Sequence, residues 1–148
     1  MKSIFSLSIH RNGCRVIQTA FDNMTQSQQE VMIEALLTQN KIKDCSFDFN
    51  GNHVVQKILI KIKSLEKTEL YKKFIGEIDR DVIEYSKHEY CCRIVQRLIE
   101  NCTHTLIFQL IDKILINYHH LINDQYGTFV LCSILESGND HQKVFLIN

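Results

Sequence analysis

The chain has 148 residues, of which 17 are basic and 17 acidic, giving a formal net charge of zero. Apolar residues make up 45% and charged residues 23%, which suits one packed domain and excludes a disordered chain. The absence of proline and the five glycines favour helices over a turn-rich β fold, neutrality removes any bulk pull toward nucleic acid, and no apolar run reaches the roughly 18 residues of a membrane span.

The opening MKSIFSLSIHRNG is too short in its apolar part, and lacks the small-residue cleavage site, to read as a secretory leader. Its residues Ser3 to Ile9 predict a short helix that runs into a second one near Cys14. Thr25 or Ser27 can cap a third helix reaching about Thr38, with Glu30 near its first turn. Val31, Ile33, Leu36 and Leu37 form its expected buried stripe. Asn40 to Phe49 is a short helix or turn, and the amphipathic stretch Asn50 to Ile62 follows. Leu65 to Ile78 predicts a helix buried at Leu70, Phe74, Ile75 and Ile78. The short segment Asp79 to Lys87, with an acidic cap candidate at its start, leads to a helix over Cys92 to about Asn101. From Thr103 the apolar stripe is Leu106, Ile107, Leu110, Ile111, Ile114 and Leu115. Tyr118 to Asn123 then leads to a helix at Thr128 that ends near Ser137–Gly138, and Asp140 to Ile147 begins a further unit.

Four of these helices share one pattern. In NGNHVVQKILIKI, a turn of about 100° per residue puts Asn52, His53 and Gln56 on one arc and Val54, Val55, Ile58 and Leu59 opposite. NGCRVIQTAF, YCCRIVQRLI and YGTFVLCSIL repeat the plan, with first positions at Cys14, Asn52, Cys92 and Thr128, spaced 38, 40 and 36 residues apart. Such a period predicts an all-α, curved α-solenoid of about four helical repeats in a single domain over 1–148. Its units run over about 1–24, 25–62, 63–101 and 102–138, and another starts at 139–148. Stacking repeats aligns equivalent faces into one continuous surface. Polar residues that only solvate a helix drift in identity, whereas Gln18, Gln56 and Gln96 hold the fifth position in three units of four. The constancy points to binding through amide geometry.

The six cysteines, Cys14, Cys45, Cys91, Cys92, Cys102 and Cys132, contain no CxxC pair, so no metal or disulfide framework is expected. Thiols on packed helices suit a reducing compartment, and the expected location is cytoplasmic. His88 precedes Cys92 by one helical turn, but a nucleophilic thiol also needs an orienting group and an oxyanion site. Neither is visible, so the chain reads as a non-enzyme without cofactor.

GCRVIQ, GNHVVQK, HEYCCRIVQRLIENC and DQYGTFVLCSILESG together resemble four consecutive repeats of the Pumilio, or PUF, family of RNA-binding proteins, the third to sixth of the usual eight. The resemblance implies a single-stranded RNA partner, the 3′ untranslated region of messenger RNA, and a role in post-transcriptional and translational regulation. It implies that Arg15, His53, Arg93 and Phe129 stack on bases. It further implies that Cys14 with Gln18, Asn52 with Gln56, Cys92 with Gln96, and Thr128 with Cys132 address base edges. A splayed base is stacked on a planar group and read along its edge, and two amides suit uracil while one amide beside a small side chain suits adenine. With the family's antiparallel polarity the implied target is 5′-xAUA-3′, where x faces the Thr128 unit. Thr128, Phe129 and Cys132 depart from the family's asparagine, tyrosine and glutamine. Cys91 replaces a glycine, a change expected to be tolerated if the position is helical. Lys57 and Arg97 are open to two roles, phosphate contact or surface ion pair. Half the usual repeats and the polar capping repeats are missing, so Ile4 and Val144 to Ile147 are expected to face solvent, a second copy or a partner. An effector protein on the outer face fits the same family picture. The alternative is a protein-binding repeat scaffold in which RNA reading is residual.

Overall fold

A computed structural model describes residues 3–62, 69–102 and 105–147, and all regular structure among them is helical. The chain divides into two compact units, Met1–Glu77 and Ile78–Asn148. Each contains two of the helices that carry the repeated pattern.

The first unit comprises α1 (Ile4–Ser8), α2 (Gly13–Asn23), α3 (Gln26–Leu37), a 3-10 turn at Thr38–Asn40, α4 (Lys41–Phe47), α5 (Gly51–Ile62) and most of α6 (Glu69–Arg80). Helix α2 lies on α5, α1 on α3 and α4, and α4 on α5. Phe21, Met32, Ile33, Leu36, Ile42, Val55, Ile58 and Leu59 form the core and are excluded from solvent. Thr25 caps α3 through a capping box, but its partner is Gln28, which reaches back to the Thr25 N–H. The expected stripe needs one correction. Val31 is 65% exposed and Met32 takes its place in the core, because Met32, Ile33 and Leu36 span a narrower arc than a stripe beginning at Val31. Leu37 is half-buried at the last turn. The chain then breaks at Asn40, whose φ of 56° is a left-handed conformation that asparagine tolerates.

The second unit holds α7 (Val82–Ser86), α8 (Cys91–Asn101), α9 (Thr105–Ile116), a 3-10 turn at Tyr118–His120, α10 (Gly127–Ser137) and α11 (Asp140–Ile147). Helix α8 lies on α10, α7 on α8 and α9, and α11 on both α9 and α10. Val82, Tyr85, Ile94, Val95, Leu98, Ile107, Leu110, Ile114 and Ile134 make its core. The stripe of α9 is buried as expected except for half-buried Leu106. Asp79 does not begin a helix: α6 continues to Arg80, and Asp79 accepts from Lys113 Nζ through its carbonyl at 2.5 Å, with its carboxylate 3.6 Å away. Gln142 is buried and ties α11 to α9, donating from Nε2 to Asp112 Oδ1 at 3.0 Å and to the Phe108 carbonyl at 3.3 Å. Val144, Phe145 and Ile147, on the same helix, are exposed. The expected helix starts at Leu65 and Thr103 lie outside the described residues.

Three of the four patterned helices begin on a glycine because the preceding short helix crosses too closely for a side chain. A Cβ at Gly13, Gly51 or Gly127 would stand 2.6, 2.6 or 2.8 Å from the carbonyl oxygen of Leu7, Cys45 or Leu121. None of these glycines has positive φ. The requirement is therefore one of space. Cys91, in the matching place, is helical and fully buried, so α8 accommodates a side chain where the other three patterned helices hold glycine.

Candidate nucleic-acid interface

Each patterned helix must be started by something that satisfies its first backbone N–H groups. Four residues ahead of the first-position side chain stands an acceptor in every unit. Asp48 Oδ1 takes the N–H groups of Asn50 and Gly51, both at 2.8 Å, and Asp124 Oδ1 takes those of Tyr126 and Gly127 at 2.9 and 2.8 Å. His10 Nδ1 takes Asn12 and Gly13 at 3.2 and 3.1 Å, and His88 Nδ1 takes the Tyr90 N–H at 3.3 Å. Sequence reasoning missed this set because its identity alternates between histidine and aspartate. Its spacing is that of the repeat itself. Asp48→Ala removes two bonds from the start of α5 and is expected to cost about 1–2 kcal/mol, a typical loss for a helix cap. A denaturation midpoint unchanged by this substitution would contradict the capping role.

The first-position side chains share a second device. Each donates to the carbonyl three residues earlier: Cys14 to Arg11 at 3.5 Å, Asn52 to Phe49 at 2.7 Å, Cys92 to Glu89 at 3.6 Å and Thr128 to Gln125 at 3.4 Å. Asn52 Nδ2 also donates to the Asp48 carbonyl at 3.0 Å, and its Oδ1 accepts from Gln56 Nε2 at 3.0 Å. Two carbonyls thus fix which way the Asn52 amide points, and that amide in turn holds Gln56. Gln18 Nε2 donates to the Cys14 carbonyl at 3.2 Å, and Gln96 Oε1 accepts from Arg93 at 3.5 Å. Three of the four fifth-position side chains are therefore amides held by their own helix turn.

Burial sorts the three positions. Cys14, Asn52 and Cys92 are 5%, 3% and 2% exposed, and Gln96 is buried beside them. Gln18, Gln56 and Thr128 are half-buried. Arg15, His53, Arg93 and Phe129 are exposed. Helices α2, α5 and α8 thus each set a planar side chain in solvent beside an inset pair, the arrangement that stacking plus edge contact requires. The fourth differs, since Cys132 is exposed and carries no amide.

Charge and thiol chemistry narrow what these helices can do. Lys57 Nζ lies 2.6 Å from Asp22 Oδ2, bracing α5 against α2, and Arg97 lies 3.4 Å from Glu100 on its own helix. Both cations are thus in ion pairs. Burial pushes the Cys92 thiol up, against a smaller pull downward from Arg93. Cys45 is pushed up to about 12 by burial and by the Asp48 and Asp44 carboxylates. Both therefore stay protonated near neutrality and are poor nucleophiles. Among the described residues there is no group of three or more His, Cys, Asp or Glu side chains that could hold a metal, and no helix long and apolar enough to cross a membrane.

Helix pairs that each deliver an equivalent patterned helix, capped and braced in the same way, define a helical-repeat protein with one presenting helix per repeat. The description of the Pumilio-family RNA binding repeat matches residues 3–37, 50–74, 81–115 and 117–148, and the chain belongs to that family. It is 27% identical over 139 residues, 90% of its length, to "Suppressor protein MPT5" of Saccharomyces cerevisiae. Its fold is similar to that of PUF-8 in complex with PBE-RNA, with a TM-score of 0.87 and 24% identity over 97% of this chain. It is similar also to the Puf4 RNA binding domain bound to an HO endonuclease RNA 3′ UTR recognition sequence, with a TM-score of 0.82 and 27% identity over 95% of this chain. The chain spans 16% of the length of the yeast relative and 41% and 45% of those two solved chains.

Proposed function

We propose that the chain binds single-stranded RNA with sequence preference and acts in post-transcriptional control of messenger RNA, in the cytoplasm. The observation that carries this reading is the recurrence, in α2, α5 and α8, of an exposed planar side chain beside an inset pair closed by a glutamine amide, with a further exposed planar side chain, Phe129, in α10. Arg15, His53, Arg93 and Phe129 supply stacking planes, which accept any base. Asn52 and Gln56 address uracil, and Cys14 with Gln18 and Cys92 with Gln96 address adenine, each through one amide beside a thiol. With the antiparallel polarity of the family the core is 5′-xAUA-3′. Lys57 and Arg97 are each paired with a carboxylate, Asp22 and Glu100, and have further N–H donors left for phosphate.

Four stacked bases, less the cost of ordering a flexible strand, correspond to a dissociation constant on the order of micromolar or weaker. Titration of the purified chain with labelled AUA-containing and scrambled RNAs should show tighter binding of the first by tenfold or more. Equal affinity for both would sink base reading. That outcome favours a protein-binding scaffold, for which the exposed Val144, Phe145 and Ile147 of α11 offer contact area.

A further inference from the structure

We infer that the Thr128 unit is a stacking-only position, so that the chain tolerates every base at x while still requiring that a base be there. The inference rests on the RNA-binding reading above and says what that reading's fourth site selects. Phe129 is 51% exposed, an aromatic face in water with area to offer a base. Stacking on such a face does not depend on which base is present.

The edge-reading equipment of the other units is lacking here. In α2, α5 and α8 the fifth position is an amide, held by the Cys14 carbonyl, by Asn52 Oδ1 and by Arg93 respectively. In α10 it is Cys132, exposed, with a thiol that is a weak donor and a weak acceptor. The Thr128 hydroxyl has a single proton, and it is directed to the Gln125 carbonyl at 3.4 Å. What remains is a hydroxyl acceptor, which cannot distinguish bases that each carry an edge donor. Ser133, next along, donates its hydroxyl to the Phe129 carbonyl at 3.2 Å and is buried away from solvent. The backbone start of α10 is as well formed as the others, since Asp124 holds the N–H groups of Tyr126 and Gly127. The plane is in place and the readers are absent.

The test compares the full chain on four RNAs differing only at x, on a fifth abasic at x, and on a sixth with the central uracil of AUA replaced by cytosine. The four bases should bind within about threefold of one another, and the abasic RNA roughly tenfold more weakly, the loss of one stack. The central replacement should weaken binding tenfold or more. Preference for one base at x by tenfold, or full affinity for the abasic RNA, overturns the inference while leaving the AUA reading intact. Indifference to the central replacement overturns the AUA reading itself. Thr128→Asn with Cys132→Gln supplies the missing amides and should create a uracil preference of tenfold or more at x. If this variant remains indifferent while still binding AUA, missing amides are not the cause of tolerance, and the inference fails.

Discussion

Replacing Gly51 with alanine is expected to destabilise the chain by about 1–3 kcal/mol, the range for forcing extra volume into a packed contact. The added Cβ would lie 2.6 Å from the Cys45 carbonyl oxygen and 2.9 Å from the Cys45 Cα. Both are backbone atoms of α4, so no side chain can swing aside. Cys45 and its neighbours Ile42 and Ser46 are excluded from solvent, which leaves α4 little room to retreat. Helix α5 must then slide off α4, and the two bonds from Asn52 to the Asp48 and Phe49 carbonyls are strained with it. Alanine's better helix propensity offsets at most about 1 kcal/mol of this. Gly76→Ala is the control. It lies in α6 with nothing within 4 Å of the added methyl, so it should stabilise by up to about 1 kcal/mol. Urea midpoints of the two variants should move in opposite directions, and movement of both toward lower stability would show that close approach is not the cause.

Helix existence and repeat length were legible because the apolar positions recur with helical spacing and the polar pattern returns after 38, 40 and 36 residues. The glycine ahead of three of the four patterns was visible as well, but its reason was not. Only the crossing of α4 and α5 shows that it answers a carbonyl six residues back rather than a left-handed turn. The His10, Asp48, His88 and Asp124 caps were hidden for a different reason. An imidazole nitrogen and a carboxylate oxygen can both accept from two successive N–H groups, so the function is constant where the letter changes. Val31 failed because a one-residue rotation of the apolar arc is within the tolerance of any periodicity argument. Within the candidate site the residue types were legible and their depth was not. Asn52 sits inset and bonded to its own helix turn, whereas a helical wheel places it beside exposed His53 with equal standing.

Asn52→Ser combined with Gln56→Glu is expected to move the preference at the central base from uracil to guanine by tenfold or more. The first substitution should leave the fold intact. The bond from Asn52 to the Phe49 carbonyl is matched at Thr128 by a hydroxyl donating to Gln125, so a serine can keep the same i−3 contact. It also gives up volume beside the second position, which a purine needs. The second substitution exchanges an amide that donates from Nε2 to Asn52 Oδ1 for a carboxylate that only accepts. Guanine offers adjacent donors at N1 and N2, which a carboxylate takes as a charge-assisted pair, whereas uracil's O2 and O4 would face like charge. His53 remains exposed and still stacks, since stacking is indifferent to base identity. A good edge pairing discriminates by about 1–3 kcal/mol in double-stranded recognition, enough for the tenfold switch. Competition between 5′-AUA-3′ and 5′-AGA-3′ on the parent and the double variant measures it. Equal loss of both RNAs would mean damage to α5 alone, which the urea midpoint would register. An unchanged ratio with a normal midpoint would mean that Asn52 and Gln56 do not read the base.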